Sequence, residues 1–532
     1  MIPVIDLFAG PGGLGEGFAS YTTKERDRLF RVALSIEMNE SARTTLRLRS
    51  FYRQFERSAV PAEYYEFLRG EITVDALYSK YPEQADASDK EAWQAELGNT
   101  SSEEVDQRIV AALGGAKDWL LIGGPPCQAY SLAGRSRVIN VDPVGYATDH
   151  RHFLYREYLR IIAVHRPPIF VMENVKGILS SKMKGKPIVD RIIADLESPL
   201  TTGLDVEARG GSLNYELHPF ADYGETLPFA EKQRLPAEYI IRSELHRIPQ
   251  ARHRFIVLGI RKDIDWIPGK LRNMTRTVPV RMAIGDLPPL RSRLSGKGSS
   301  ISGRDTYEVW ASAVEEMLQL PLGPSNGIDP ELLERIKASI KTLKRAGSGA
   351  PYRRWKKEIE WQKQWFADQR LHGVCNHESR RHMKDDLWRY MFAACFASVH
   401  KKSPTMRDFP IELLPDHKNL KALETEMGDV AFADRFRVQL RNRYSTTVTS
   451  HISKDGHYFI HYDPKQCRSL SVREAARLQT FPDNYFFTGG KTAQYHQVGN
   501  AVPPLLALKL AKIVAQFFEP GIQNGRDQNW TR

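Results

Sequence analysis

The sequence predicts an α/β protein built on a mostly parallel, doubly wound sheet with helices on both faces. A strand turns through a glycine-rich loop into a helix at the amino end, and apolar strands then alternate with helical stretches. The chemically distinctive residues fall at the carboxyl ends of those strands, where ligands of such sheets lie.

The first strand, Val4 to Ala9, runs into Gly10-Pro11-Gly12-Gly13-Leu14-Gly15. Gly10, Gly12 and Gly15 have the spacing of a nucleotide-binding loop, whose glycines permit a tight turn and a close approach of backbone amides to a ligand. Alone, the loop fits a dinucleotide, an adenosyl cofactor or a structural turn. A second strand, Arg31 to Ile36, ends at Glu37, roughly 20 residues downstream, where a carboxylate accepts hydrogen bonds from ribose hydroxyls. The apolar run Trp119-Leu120-Leu121-Ile122 then leads through Gly123-Gly124 to Pro125-Pro126-Cys127-Gln128. The prolines end the strand and stiffen the loop, so Cys127 is presented as a nucleophile would be; a small buried hydrophobe is the other reading. A helix near Leu154–Val164 and a strand from Ile169 to Glu173 complete the pattern.

The chain has 532 residues, enough for two domains, one of them able to be inserted in the other. Its formal charge of +12 suits a polyanionic partner. The four cysteines, Cys127, Cys375, Cys395 and Cys467, lack paired zinc spacing and read as free thiols of a reducing compartment; no metal is expected. No basic segment precedes an apolar one at the amino end, and no uninterrupted apolar run reads as a membrane span. A soluble, intracellular protein is expected.

Six motifs in order then resemble the DNA cytosine-5 methyltransferase family of bacterial restriction–modification type. They are Asp6-Leu7-Phe8-Ala9-Gly10-Pro11-Gly12-Gly13, Pro125-Pro126-Cys127-Gln128, Glu173-Asn174-Val175, Gln250-Ala251-Arg252-His253-Arg254, Arg473-Glu474-Ala475-Ala476-Arg477-Leu478-Gln479 and Gly499-Asn500-Ala501-Val502-Pro503-Pro504. The resemblance implies the Rossmann-like fold of S-adenosylmethionine-dependent methyltransferases, with an inserted α+β target-recognition domain. It divides the chain into catalytic residues 1–262, with a decorative polar insertion near 86–115, a recognition region 263–444 and a return to the catalytic domain over 445–532. It implies methyl transfer from S-adenosylmethionine to carbon 5 of a cytosine extruded from a short DNA sequence. Cys127 would add to carbon 6, and Glu173, protonated or sharing a proton with ring nitrogen 3, would neutralise the pyrimidine. Arg254 would hold the base carbonyl at position 2. Arg252 would bind a phosphate, support the cysteine loop or form a plain salt bridge. Phe8 would stack on adenine, Glu37 would bind ribose, and Asn500 and Val502 would line the methionine end. Glu71 would take the adenine-contacting acidic position, and Gly10, Gly12, Gly13, Gly15, Met38 and Pro125 would complete the cofactor site.

Within the recognition region Leu332, Leu333, Ile336, Ile340 and Leu343 recur at helical spacing before Gly347. Arg291 to Arg304 is a basic, glycine- and serine-rich loop, equally a backbone-following arm or a linker. Tyr352-Arg353-Arg354-Trp355-Lys356-Lys357, with Trp361 and Trp365, reads as a nucleic-acid face or, in preference, as an amphipathic helix with its tryptophans in the core. Cys375 to His382 offers one cysteine and two histidines without a fourth metal ligand, and reads instead as a DNA-contacting loop. The implied partners are double-stranded DNA and a cognate restriction endonuclease, although a solitary regulatory enzyme would have the same sequence features. Monomeric action in the bacterial cytoplasm, on the nucleoid, is expected. The alternatives are an RNA cytosine-5 methyltransferase, against which the long recognition region argues, and a non-catalytic paralogue, against which Cys127 and Glu173 argue. A dinucleotide oxidoreductase would leave the cysteine loop and the arginine motifs unexplained.

Overall fold

The computed structural model describes residues 1–126, 151–183, 186–202, 212–221, 236–295, 305–415 and 434–519. It separates into two compact units, the first made of Met1–Ala59, Tyr81–Arg276 and Ala501–Arg532, the second of Val60–Lys80 and Thr277–Asn500. These boundaries differ from those expected. The residues after 445, up to Asn500, belong to the second unit, and so does a segment from the first hundred residues.

The first unit begins with β1 (Ile2–Leu7), α1 (Gly13–Ala19), β2 (Phe30–Glu37) and α2 (Glu40–Arg53). Helix α2 starts where the Asn39 side chain accepts a hydrogen bond from the Ala42 amide, 3.0 Å away. The chain then leaves for two helices of the second unit, α3 (Ala62–Arg69) and α4 (Val74–Lys80). It returns with α5 (Pro82–Glu91), β3 (Ala92–Gln94), α6 (Ser102–Leu113), β4 (Leu120–Gly123), α7 (Arg151–His165), β5 (Ile169–Val175), α8 (Ile188–Glu197), β6 (Tyr215–Pro219), β7 (Ile240–Arg242) and β8 (His253–Arg261). The sheet order is β3-β2-β1-β4-β5-β8-β6, with β7 paired to β8. The first five strands in that order are parallel, while β8 runs antiparallel to β5 and β6. The α/β architecture is therefore the expected one. Strands β1, β4 and β5 are almost wholly buried because helices cover both faces, which is why they read as continuous apolar runs.

Residues 86–115 are not a decorative insertion. They supply β3, registered Ser35↔Ala92 and Glu37↔Gln94 against β2, and α6, which buries Val105 and Ile109 in the main core. The segment looks polar because a three-residue edge strand and a helix with two buried residues leave most of their side chains in water.

The helix Pro504–Phe518 closes the first unit against α1. The approach is so close that a Cβ on Gly17 would lie 2.3 Å from the Ala507 Cβ and 2.5 Å from the Leu508 amide nitrogen. Lys491–Phe518 has the length and hydropathy of a membrane span, but 67% of its apolar window is buried inside the protein, as in a core helix.

In the second unit, α9 (Pro330–Lys341) follows the predicted helical periodicity and is capped by Asp329, which accepts from the Leu332 amide at 2.8 Å. Strand β9 (Gly349–Arg354) pairs antiparallel with β10 (Gly373–Glu378), in the register Tyr352↔Cys375. The expected amphipathic helix at 352–357 is thus a strand and its continuation. Its basic residues suit a helix locally, but a partner some twenty residues downstream decides the conformation. Trp361 is buried, and the Trp355 indole donates to the Asp286 carbonyl at 2.8 Å. Nor is Cys375–His382 a DNA-contacting loop. Cys375, Asn376, His377, Ser379 and His382 are all buried, and His377 is held by Ser471 and the Pro288 carbonyl at 2.8 Å each. Among the described residues there is no cluster suited to a metal.

Helices α10 (Lys384–His400) and α11 (Val472–Leu478) complete the elements on which the second unit depends. Arg468 donates to both oxygens of buried Glu474, Arg477 grips Asp286 and Asp483, and Arg473 donates to the carbonyls of Cys375, Pro482 and Tyr485. Burial pushes the Glu474 carboxyl up, but Arg468 outweighs it and holds the pKa far below the usual range. The late arginine motif is therefore an internal brace of the second unit.

Substituting Gly17→Ala should destabilise the protein by about 1–3 kcal/mol through overpacking. A thermal melt with Tm unchanged from wild type would contradict this contact.

Candidate active site

The features of the site gather on one edge of the sheet. The carboxyl end of β1 leads into Phe8, which sits in the left-handed region at φ 55° and packs in part against the core. Such a conformation costs a non-glycine residue on the order of 1 kcal/mol and marks a constrained turn. Gly10 (φ 57°) and Gly12 (φ 86°) continue the turn into α1. Open space surrounds the position where a Gly10 Cβ would lie, whereas a Cβ on Gly13 would come 2.1 Å from the Val502 carbonyl oxygen and one on Gly15 2.9 Å from Asp6 Oδ2. Gly13 and Gly15 thus serve packing, and Gly10 faces open space.

Glu37, at the end of β2, accepts the Gly10 and Asn39 amides at 2.8 Å each. Burial raises its pKa, and those amides oppose the shift. Met38, next in line, is 58% exposed and offers an apolar chain beside the carboxylate. Together these groups fit an adenosyl cofactor: an open glycine turn, a fixed acceptor for hydroxyls and an apolar surface for a flat ring. Glu71 belongs instead to the second unit, where it is exposed and ion-paired to Arg69 at 2.7 Å. The strand-end position beside Glu37 is filled by Ala95, Glu96 and Leu97 after β3, with the Ala95 amide donating to the Glu37 carbonyl at 3.2 Å. Asn500 also falls in the second unit, its Nδ2 lying 3.3 Å from the His496 ring.

Strand β5 carries Glu173 and β8 carries Arg254, registered Glu173↔Ile256 and Val175↔Arg254. Arg254 Nε lies 2.7 Å from Glu173 Oε1, with both side chains nearly buried. Burial lowers the Arg254 pKa, partly offset by Glu173. Arg252 is 1% exposed, and burial together with the charge of Arg254 lowers its pKa well below the ordinary value. Its backbone carbonyl is anchored by the Ser243 hydroxyl at 2.5 Å. Asn174 Nδ2 donates to the Pro125 carbonyl at 3.3 Å, and a Cβ on Gly124 would meet Glu173 Oε2 at 2.8 Å. The stem of the cysteine loop therefore lies directly against the carboxylate. Cys127 itself lies outside the described residues, as do 296–304 of the basic loop. The three described cysteines are buried, with burial pushing the thiols of Cys375 and Cys395 up to about 12 and that of Cys467 well above its ordinary value.

The chain matches the C-5 cytosine-specific DNA methylase family over residues 83–202 and 238–516. It belongs to that family. It is 32% identical to the type II methyltransferase M.Bpa9945I of Bacillus paralicheniformis over 531 residues, covering 96% of this chain and 98% of that protein. The type II methyltransferase M.AgeI of Thalassovita gelatinovora is 25% identical over 538 residues, at 96% and 98% coverage. M.DdeI of Desulfomicrobium norvegicum is 26% identical over 409 residues, at 75% and 73%. The protein is accordingly a DNA (cytosine-5) methyltransferase of restriction–modification type, with DNA as its substrate.

Beneath the glycine loop Asp6 is 1% exposed, and neither of its oxygens has a hydrogen bond of normal geometry. Burial raises its pKa from 3.8 to about 8, with Arg53 and the Gly15 amide opposing. Between those pH values the folded state holds a proton that the unfolded chain has lost, so stability falls as pH rises. Asp6→Asn should remove that slope. Melts at pH 5 and pH 8 should show the variant gaining on wild type at the higher pH, and parallel behaviour would exclude a protonated Asp6.

Proposed function

We propose that the enzyme methylates a cytosine extruded from duplex DNA through a covalent adduct between Cys127 and carbon 6 of the base. The observation that carries this reading is the Glu173–Arg254 pair, held on adjacent strands against Gly124 and Pro125 at the foot of the cysteine loop. Arg254 engages Oε1 of Glu173, which leaves Oε2 for the base. In the reaction the Cys127 thiolate attacks carbon 6 while Glu173 shares a proton with ring nitrogen 3, and Arg254 faces the base carbonyl at position 2. Carbon 5 then becomes enamine-like and forms the new carbon–carbon bond. Loss of the carbon 5 proton and expulsion of the thiol restore the aromatic ring. Arg252, buried and anchored through its backbone, supports this wall of the pocket.

S-adenosylmethionine, when bound, supplies the electrophilic methyl group. Phe8, Gly10, Gly12 and Met38 would hold its adenosyl part, and Glu37 the ribose hydroxyls. The adenine amino group is assigned to an acidic side chain, either Glu71 or Glu96, the latter following β3, whose neighbour Ala95 bonds the Glu37 carbonyl. Val502, pressed on Gly13, would border the methionine end. The target-recognition region is residues 263–444, which supply the contacts that read the target sequence along with others that hold the duplex. The enzyme acts as a monomer in the bacterial cytoplasm and protects sites cut by a cognate endonuclease.

Expression in a host lacking cytosine methylation should place 5-methylcytosine at one short motif across the genome, and Cys127→Ser should abolish it. Persistent methylation by the serine variant would remove Cys127 from its role. Glu173→Gln should lower kcat by about 10²–10⁴ while leaving DNA binding intact; a kcat within threefold of wild type would rule out proton sharing by this residue.

A further inference from the structure

The second unit contains a concavity of about 590 Å³ whose lining includes none of the residues assigned above to the reaction. Helix α3 contributes Tyr65 and Arg69, β9 contributes Tyr352 and Arg354, and the turn before β10 contributes Arg370 and His372. The Arg370 guanidinium is fixed over the Tyr65 ring, 4.7 Å from its centroid, and donates to the Val60 carbonyl at 2.8 Å. Arg69 is oriented by its pair with Glu71, at 2.7 Å. Arg354 is exposed and has no ion-pair partner among the described residues.

A second concavity of about 330 Å³ shares Arg354 and His372 and adds exposed Lys356 and Lys357. Its carboxylates are already engaged: Glu358 by Lys363 at 2.6 Å, Asp368 by the Tyr65 hydroxyl at 2.7 Å, and Asp483 by Arg477 at 2.5 Å. Arg354, Lys356 and Lys357, which enter no ion pair among the described residues, are therefore left for an outside anion, while Arg69 is held by Glu71 and Arg370 lies 4.0 Å from Asp368. Planar guanidinium groups set among aromatic rings suit a phosphate beside a base, and two adjoining concavities suit successive phosphates of one strand.

We propose that this basic track binds the phosphodiester backbone of the DNA substrate, and that α3, encoded far from the recognition region, is part of the DNA-binding surface. The proposal rests on DNA being the substrate. It assigns these residues to affinity rather than to sequence, since phosphate contacts position a protein without reading bases.

The test is fluorescence anisotropy of labelled duplexes with and without the recognition sequence, over a series of salt concentrations. For Arg354→Ala the slope of log K against log salt should fall by about 0.9, and for Arg69→Ala/Arg354→Ala by about twice that, on both duplexes. Arg354→Lys should restore the slope. Circular dichroism and S-adenosylmethionine affinity control for folding. A slope equal to wild type, or a loss confined to the specific duplex, would overturn the proposal. So would millimolar deoxycytidine monophosphate binding that depends on Arg354 while the duplex slope does not, because the site would then serve free nucleotides. Wild-type enzyme that binds DNA with this salt dependence yet methylates none would count against the proposed reaction and not against the track.

Discussion

Strand β8 runs against the five parallel strands beside it, and the chemistry of the site depends on that reversal. In a parallel sheet every strand delivers its carboxyl end to the ligand edge, where Glu37, Gly124 and Glu173 already stand. An antiparallel neighbour delivers its amino end there instead. Arg252 and Arg254 can therefore face the carboxylate although the sequence places them about eighty residues later. The pairing register leaves little tolerance, because a one-residue slip would turn the guanidinium of Arg254 to the opposite face of the sheet.

Each of the two units buries charged side chains, and each charge is handled by its own local means. Glu16 is neutralised by Arg49 and Arg53, Glu474 by Arg468, and Arg477 by two aspartates. Arg473 has carbonyl oxygens instead of carboxylates. Asp6 is the exception, since burial without a full set of donors favours its neutral form. Paired charges of this kind contribute little net stability but make any alternative packing that would separate them costly. They therefore fix one arrangement of the glycine loop in the first unit and of β10 against α11 in the second.

Where local pattern and tertiary role coincide, the sequence was readable. The strands ending at Glu37, Gly124 and Glu173, the glycine turn and helix α9 were all legible, because burial on both faces or strict helical spacing leaves a mark within a dozen residues. Strand β9 was not legible, since Arg, Lys and Trp in a row suit a helix until Gly373–Glu378 arrives to pair with them. Cys375 and His377 looked like surface chemistry because polar residues usually are, and only Ser471, Pro288 and Leu68 explain their burial. Glu71 stood out by its neighbours in sequence, and its exposure and ion pair with Arg69 leave no mark in the spacing of residues.

The route of the chain bears on how the protein is made. It passes between the two units four times, leaving the first at Ala59 and returning at Tyr81, then leaving at Arg276 and returning at Ala501. Helix α1 packs on Pro504–Phe518, so a helix near residue 13 waits for a partner almost five hundred residues further along the chain. Folding of the first unit therefore depends on a long-range contact, and its α1 surface, with Gly13 and Gly17, stays uncovered until Val502–Phe518 has been made. A truncation before residue 504 removes the surface on which Gly17 packs and leaves the outer face of α1 uncovered.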